Sequence, residues 1–248
     1  MKAEMIMEAK LRRFLPLMLV WALVACGSGN GNDNGNSNTP EKSKFDQEMD
    51  RAMELAKKFG PTTQAMAEET AKEYSGCVTP LNLKTRESAE RKCKTDQCMP
   101  FTLKDLARTT VVAAWDSADI TEVIDYLIIR AREDSLFGRY KHQTSDYGYW
   151  GDIVNLKFVE NTDTLYTEIQ LKTYSMYYCS GDEKTVRATI GDENYQYIHS
   201  VSGLEPGLSH VYYEIIRADT SSEATIAYYK QLSREYYRVL QSVPQPNK

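Results

Sequence analysis

The sequence predicts a single α+β domain, a mixed α/β arrangement of one β-sheet flanked by helices at both ends. Three observations predict it. Residues 41–74 carry apolar side chains at helical spacing. A β-rich run, a helix and three further β-rich runs follow in that order between 106 and 171. Beyond residue 206 the pattern becomes helical again. With 248 residues, 42% hydrophobic and 26% charged, the chain is long enough for one real core. Its 30 basic and 35 acidic residues, a formal net charge of −5, argue against broad nucleic-acid binding, which relies on net positive surface.

Residues 1–25 read as an address. Lys10, Arg12 and Arg13 precede the apolar run Phe14 to Ala25, about as long as a signal-peptide core and too short to span a bilayer comfortably. It closes on Leu23-Val24-Ala25-Cys26, which is similar to a bacterial lipobox, where the Cys is lipidated and becomes the first residue after cleavage. Residues 26–40 continue as a tether, since GSGNGNDNGNSNT (27–39) has no apolar side chain to offset its ordering entropy. Anchor and tether predict an exported lipoprotein of the cell envelope, held to the membrane through Cys26. Gly27 fits outer-membrane sorting, and the domain itself spans 41–248.

Removing residues 1–25 takes away four basic and two acidic residues, leaving 26 against 33, a net −7. Beyond Cys26 remain Cys77, Cys93, Cys98 and Cys179. An even set in an exported protein reads as two disulfides. Of three connectivities, Cys93–Cys98 with Cys77–Cys179 is preferred, because the first closes a short loop. Zinc is disfavoured, since the three histidines are scattered.

In the domain, Phe45, Met49, Ala52, Met53, Ala56 and Phe59 share one helical face. Gly60-Pro61 is expected to end that helix, and Thr62 or Thr63 to cap a second one running to about Tyr74. A short helix is expected over about 85–92. Leu106 to Trp115 reads as a buried strand. Ile120 to Arg132 reads as a helix with Val123, Ile124, Leu127 and Ile128 inward. Strands are expected at 138–142, 153–159 and 165–171, the last two joined by the turn-like Asn161-Thr162-Asp163. Helices over about 206–217 and 222–243 follow, the second with Ile226, Tyr229, Leu232, Tyr236 and Val239 as its packing stripe. The 17 tyrosines fall largely in clusters and read as packing residues with wet hydroxyls.

Four segments place polar groups where packing does not need them. Lys84, Ser88 and Lys92 recur at i, i+4 and i+8, one stripe of a helix. Asp105 and Arg108 sit at the mouth of the first long strand. Arg139 and Lys141 alternate along the next, so both point to one face. Glu168 and Gln170 share a face of a later strand. Cations opposite two carboxylates are what a phosphate-plus-Mg²⁺ site requires: the cations hold phosphates, while the carboxylates fix metal and accept a proton from an attacking hydroxyl.

In this order the segments resemble the RelA/SpoT-type alarmone synthetase domain. Lys84 to Lys92 is similar to the family's K-S-x-x-S-x-x-x-K helix, and Asp105-Leu-Ala-Arg108-Thr-Thr-Val-Val to its first strand. Gly138-Arg139-Tyr140-Lys141 resembles G-R-F-K, and Gly148-Tyr149 stands in the place of G-Y. Glu168-Ile-Gln170-Leu-Lys172-Thr173 resembles E-[IV]-Q-[IL]-R-T, and Gly207-Leu-Ser-His210 a later helix start. The resemblance spans residues 84–217.

The resemblance implies a mixed sheet of about five strands and transfer of pyrophosphate from ATP to the 3′-hydroxyl of a guanosine nucleotide, with Mg²⁺. It assigns Asp105 to Mg²⁺ and Glu168 to activation of the 3′-hydroxyl, with a share in the metal. Lys84, Ser88, Lys92 and Arg108 fall on the ATP side. Lys141 holds acceptor phosphates, Arg139 lies near the donor, Tyr149 stacks on the acceptor base and Gln170 supports its pocket. A homo-oligomer is compatible with the family. Where long synthetases have Q/R-S-L-H after G-Y, this chain has Trp150-Gly151-Asp152-Ile153, and His142 replaces the acidic residue after Lys141. These departures leave the acceptor nucleotide open. The address leaves two alternatives open as well: a non-catalytic binding module at the envelope, and an exported toxin.

Overall fold

The computed structural model describes residues 42–218 and 220–246, so the expected signal peptide (1–25), Cys26 and the expected tether lie outside the described residues. A single helix, α1 (Lys44–Glu73), replaces the two expected on either side of Gly60-Pro61. Ser43 caps it by accepting the Asp46 N–H at 3.1 Å. Pro61 removes one intrahelical hydrogen bond, yet the helix continues because both halves bury the same face. Met49, Ala52 and Ala56 lie before the proline, and Met66, Ala67 and Ala71 after it. Tertiary packing outweighs the local stop signal.

The rest of the chain is β1 (Cys77–Val78), β2 (Asn82–Leu83), α2 (Arg86–Asp96), β3 (Ala107–Ala114), α3 (Ser117–Glu133), β4 (Phe137–Thr144), β5 (Trp150–Glu160), β6 (Asp163–Thr173), α4 (Tyr174–Ser180), α5 (Glu183–Ser202), α6 (Leu208–Ile216) and α7 (Glu223–Gln241). The sheet order is β1-β3-β6-β5-β4, with two-residue β2 also paired to β3. β3 and β6 run parallel, and every other pairing is antiparallel. The mixed sheet of about five strands is therefore present, extended by one short strand.

Alternation along the strands gives the two faces different characters. Val111, Val154, Leu156, Ile169 and Leu171 pack against α1 and α3, including Val123 and Leu127. On the opposite face the α4–α7 layer covers one end, where Val112 joins a core of Tyr178, Ile198 and Leu240. Beside that layer, the same face presents charged and amide side chains.

The sequence reading lacks α4 and α5. Thr173 caps α4, its hydroxyl accepting the Met176 N–H at 3.2 Å. The tyrosines of the 174–178 cluster are buried there as packing residues. In α5, Gly191 at φ 81° interrupts the helix and breaks the apolar period between Ile190 and Tyr195.

The two expected disulfides are absent, and Cys77, Cys93, Cys98 and Cys179 are free thiols. The Cys93 and Cys98 sulfurs lie 3.2 Å apart at the end of α2. Cys77 instead packs by the Tyr174 hydroxyl, while Cys179 is buried within reach of the Lys172 charge. Burial raises the pKa of Cys77, Cys93 and Cys179, keeping them as thiols rather than the thiolates that attack disulfides.

Candidate active site

Asp105 sits just ahead of β3 and is 7% exposed. Two ammonium groups meet on one of its oxygens: Lys84 Nζ at 3.1 Å and Lys92 Nζ at 2.9 Å from Oδ2. Lys92 comes from α2, as expected. Lys84 does not belong to that helix; it precedes the cap residue Thr85, and its N–H donates to the Leu106 carbonyl at 2.8 Å. Its side chain joins the stripe from the sheet side. Ser88 lies half-buried on α2, whereas Arg86 turns away to pair with Asp46, Asp50 and Glu90.

Burial pushes the Asp105 carboxyl up, but the hydrogen bonds and charges of Lys92 and Lys84 outweigh it and hold it below the usual range. Its other oxygen, Oδ1, is buried without a hydrogen-bond partner.

Glu168 occupies the middle of β6, in register with Arg108 on β3 and Asn155 on β5. Asn155 pairs in turn with Arg139 on β4. A polar row, Arg108–Glu168–Asn155–Arg139, thus crosses four strands on one face. Glu168 is 7% exposed and accepts from Gln170 Nε2 at 2.7 Å. Burial, with the Asp105 charge adding to it, raises its pKa; Gln170, Arg108 and Lys92 oppose the shift without reversing it. The two neighbouring carboxyls are thus shifted in opposite directions.

Lys141 lies opposite Ile153 on the same face as Arg139. Among the described residues, neither Lys141 nor Arg108 forms an ion pair with a carboxylate. Tyr149 is half-buried with its ring edge-on to Tyr237, centroids 6.2 Å apart, and its pKa is pushed up to about 12 by burial and then by the Glu168 charge. The structure therefore gathers Lys84, Lys92, Asp105, Arg108, Glu168 and Gln170 at one end of the row, and Arg139 and Lys141 at the other.

Two floor residues carry no role in the sequence reading. Asn155 is fully buried; it accepts from Arg139 Nε at 2.7 Å and donates to the Thr167 carbonyl at 3.0 Å. Its only sequence signal is an amide inside the apolar run 153–156. Lys172, pulled down to about 8 by burial, donates to Ser180 Oγ at 3.0 Å. His142 lies on the opposite face, Nδ1 2.8 Å from Asp152, which also accepts from the Tyr140 hydroxyl at 2.6 Å.

Among the described residues no group of three or more His, Cys, Asp or Glu side chains is placed to hold a metal. Mg²⁺ does not need one, because it uses one or two carboxylates and completes its shell with water and substrate phosphates. The unpartnered Asp105 Oδ1 and the nearby Glu168 fit that requirement.

No family model and no curated protein matches the sequence. Solved structures do match. A chain of the complex between the type VI effector Tas1 and its immunity protein is 22% identical, with a TM-score of 0.63 over 79% of this chain and 97% of that one. Small alarmone synthetase 1 from Bacillus subtilis, bound to its product pppGpp, is 13% identical, with a TM-score of 0.50 over 78% of this chain and 93% of that one. The chain has the RelA/SpoT synthetase-like fold, a mixed sheet flanked by helices.

Proposed function

We propose that this protein transfers the β,γ-pyrophosphate of ATP to the 3′-hydroxyl of a purine nucleotide. The observation that carries the reading is the pair of buried carboxylates, Asp105 and Glu168, on one floor with Lys84 and Lys92 at Asp105 and Arg108 and Arg139 in register with Glu168 and Asn155. The 3′-oxygen attacks the β-phosphorus, the bond from that phosphorus to the α,β-bridging oxygen breaks, and AMP leaves. Glu168, with its raised pKa, accepts the hydroxyl proton. Asp105 and Glu168 would hold Mg²⁺, which when bound offsets the charge of the phosphate chain. Lys84, Ser88, Lys92 and Arg108 bind the donor, with Arg139 beside it. Lys141 holds the acceptor phosphates, Tyr149 stacks on its base and Gln170 lines its pocket.

Incubation with ATP, Mg²⁺ and each of GDP, GTP, ADP and AMP, followed by anion-exchange separation, tests the reading. One acceptor gains pyrophosphate with wild-type protein and none does with Glu168→Gln. The absence of transfer to every acceptor, together with no nucleotide binding by calorimetry, overturns it.

The lipoprotein address joins the proposal: Cys26 carries the lipid, and Cys26→Ser releases the chain from the membrane fraction. A second reading, an exported toxin, is supported by the fold shared with a type VI effector. It uses the same site. Its test is cytoplasmic expression without residues 1–25, which arrests growth unless Glu168 is replaced by Gln.

A further inference from the structure

Beyond the Asp105 side of the floor, Lys104, Asn155 and Tyr166 form a second group around Arg139 and have no role so far. Tyr166 lies on β6 two residues before Glu168 and so shares its face. Its ring fills the space over Gly138: a Cβ there would stand 2.9 Å from the ring and 2.8 Å from the Asn155 carbonyl. On the ring lies the Lys104 ammonium, 3.6 Å from the centroid.

The buried amide of Asn155 links this lysine to the catalytic row. Its Nδ2 reaches the Lys104 carbonyl at 3.4 Å while its Oδ1 accepts from Arg139 Nε at 2.7 Å. One rigid side chain therefore fixes the backbone of one cation and the guanidinium of the other. Neither cation forms an ion pair among the described residues. On the Lys104 side opens a cleft of about 440 Å³, lined also by Phe101, Lys157, Thr164 and Tyr166 and by Asp163, whose carboxylate is paired with Arg51.

We propose that Lys104 and Arg139, aligned by Asn155 and Tyr166, form a phosphate cradle beside Glu168 that binds the phosphate chain of a nucleotide. The cradle deepens the pyrophosphokinase reading and rests on it for the identity of the nucleotide. The phosphate chain itself is the recognised chemistry, whether it arrives on ATP, on the acceptor or as free pyrophosphate. Arg presents a planar fork and Lys a point charge, a pairing that suits phosphate oxygens. The neighbouring hydroxyls and aromatic rings give the rest of the ligand a place to lie.

The test uses the full-length chain and inorganic pyrophosphate as the probe, with ATP, GDP and AMP as parallel arms. Calorimetry is expected to show pyrophosphate binding that weakens about ten- to a hundredfold in Lys104→Met, the loss of one charge-assisted hydrogen bond. Lys104→Arg is expected to retain it. Weakening of ATP alone assigns the cradle to the donor, and of GDP alone to the acceptor. A readout on the wild-type chain removes dependence on variant folding: pyrophosphate should protect Lys104 from acetylation, while exposed Lys44 stays reactive. Binding unchanged in Lys104→Met, absent protection, or no pyrophosphate binding by the wild type overturns the cradle. Transfer that proceeds normally without these effects sinks the cradle alone. A cradle that binds in a chain without transfer activity leaves the catalytic reading as the part that failed.

Discussion

Asp105 and Glu168 share one floor, yet their surroundings shift them in opposite directions, so neutralising each should change stability with opposite sign. Asp105→Asn strips the common partner from Lys84, whose side chain is 14% exposed, and from Lys92, which is 40% exposed. Breaking a buried ion pair costs about 3–5 kcal/mol. Water around Lys92 recovers part of that, which brings the expected loss to about 2–3 kcal/mol. For a domain of this size that is a fall in Tm of about 4–12 °C. Glu168→Gln removes a buried carboxylate crowded by Asp105 and keeps an oxygen for Gln170 to bond. Its Tm is expected to rise by about 2–4 °C, close to 1 kcal/mol.

The pH dependence carries the same signs. The lowered pKa of Asp105 contributes stability above the ordinary carboxylate range, lost as pH falls through the folded value. The raised pKa of Glu168 costs stability as pH rises above that range and toward the folded value. Thermal melts of the three proteins at neutral pH, without nucleotide, measure both effects. An Asp105→Asn variant that melts at or above wild type, or a Glu168→Gln variant destabilised as much as Asp105→Asn, refutes the electrostatic account.

The acid limb of the transfer rate should lie above the ordinary glutamate range, because Glu168 must lose its proton before it can accept another; a limb within that range contradicts the base role. Glu168→Gln should lower the rate about 10²–10⁴-fold at the optimum, measured by product release under saturating substrates. Gly138→Ala forces a Cβ against the Asn155 carbonyl and the Tyr166 ring, and should cost about 1–3 kcal/mol in urea unfolding; an unchanged midpoint argues against that close approach. A free-thiol titration of residues 41–248 should find all four cysteines once the chain is unfolded, with buried Cys93 and Cys179 slow to react while it is native. Two missing thiols or more indicate a disulfide.

Local pattern made much of the fold legible. The apolar runs of β3, β5 and β6 and the inward stripe of α3 are visible by period alone, because each buries one regular face. The continuity of α1 is not, since Pro61 is a local stop signal and only the packing of Met66, Ala67 and Ala71 beyond it keeps the helix whole. The tyrosine run that forms α4 carries no apolar period. In the site, Glu168 and Gln170 were visible as alternate positions of one strand. The meeting of Lys84 and Lys92 on a single Asp105 oxygen was not, because it depends on β2 and α2 docking beside β3. Asn155 carries no signal beyond being an amide within an apolar run, because its bonds to Arg139 and to the Lys104 carbonyl come from other strands and loops.

The most direct measurement uses ATP labelled at its β-phosphorus and follows both products with the purified wild-type chain. The account predicts that the label moves to the acceptor and that one AMP is released for each acceptor modified. Release of ADP, with the label retained on it, would make this a γ-phosphate kinase and contradict the account.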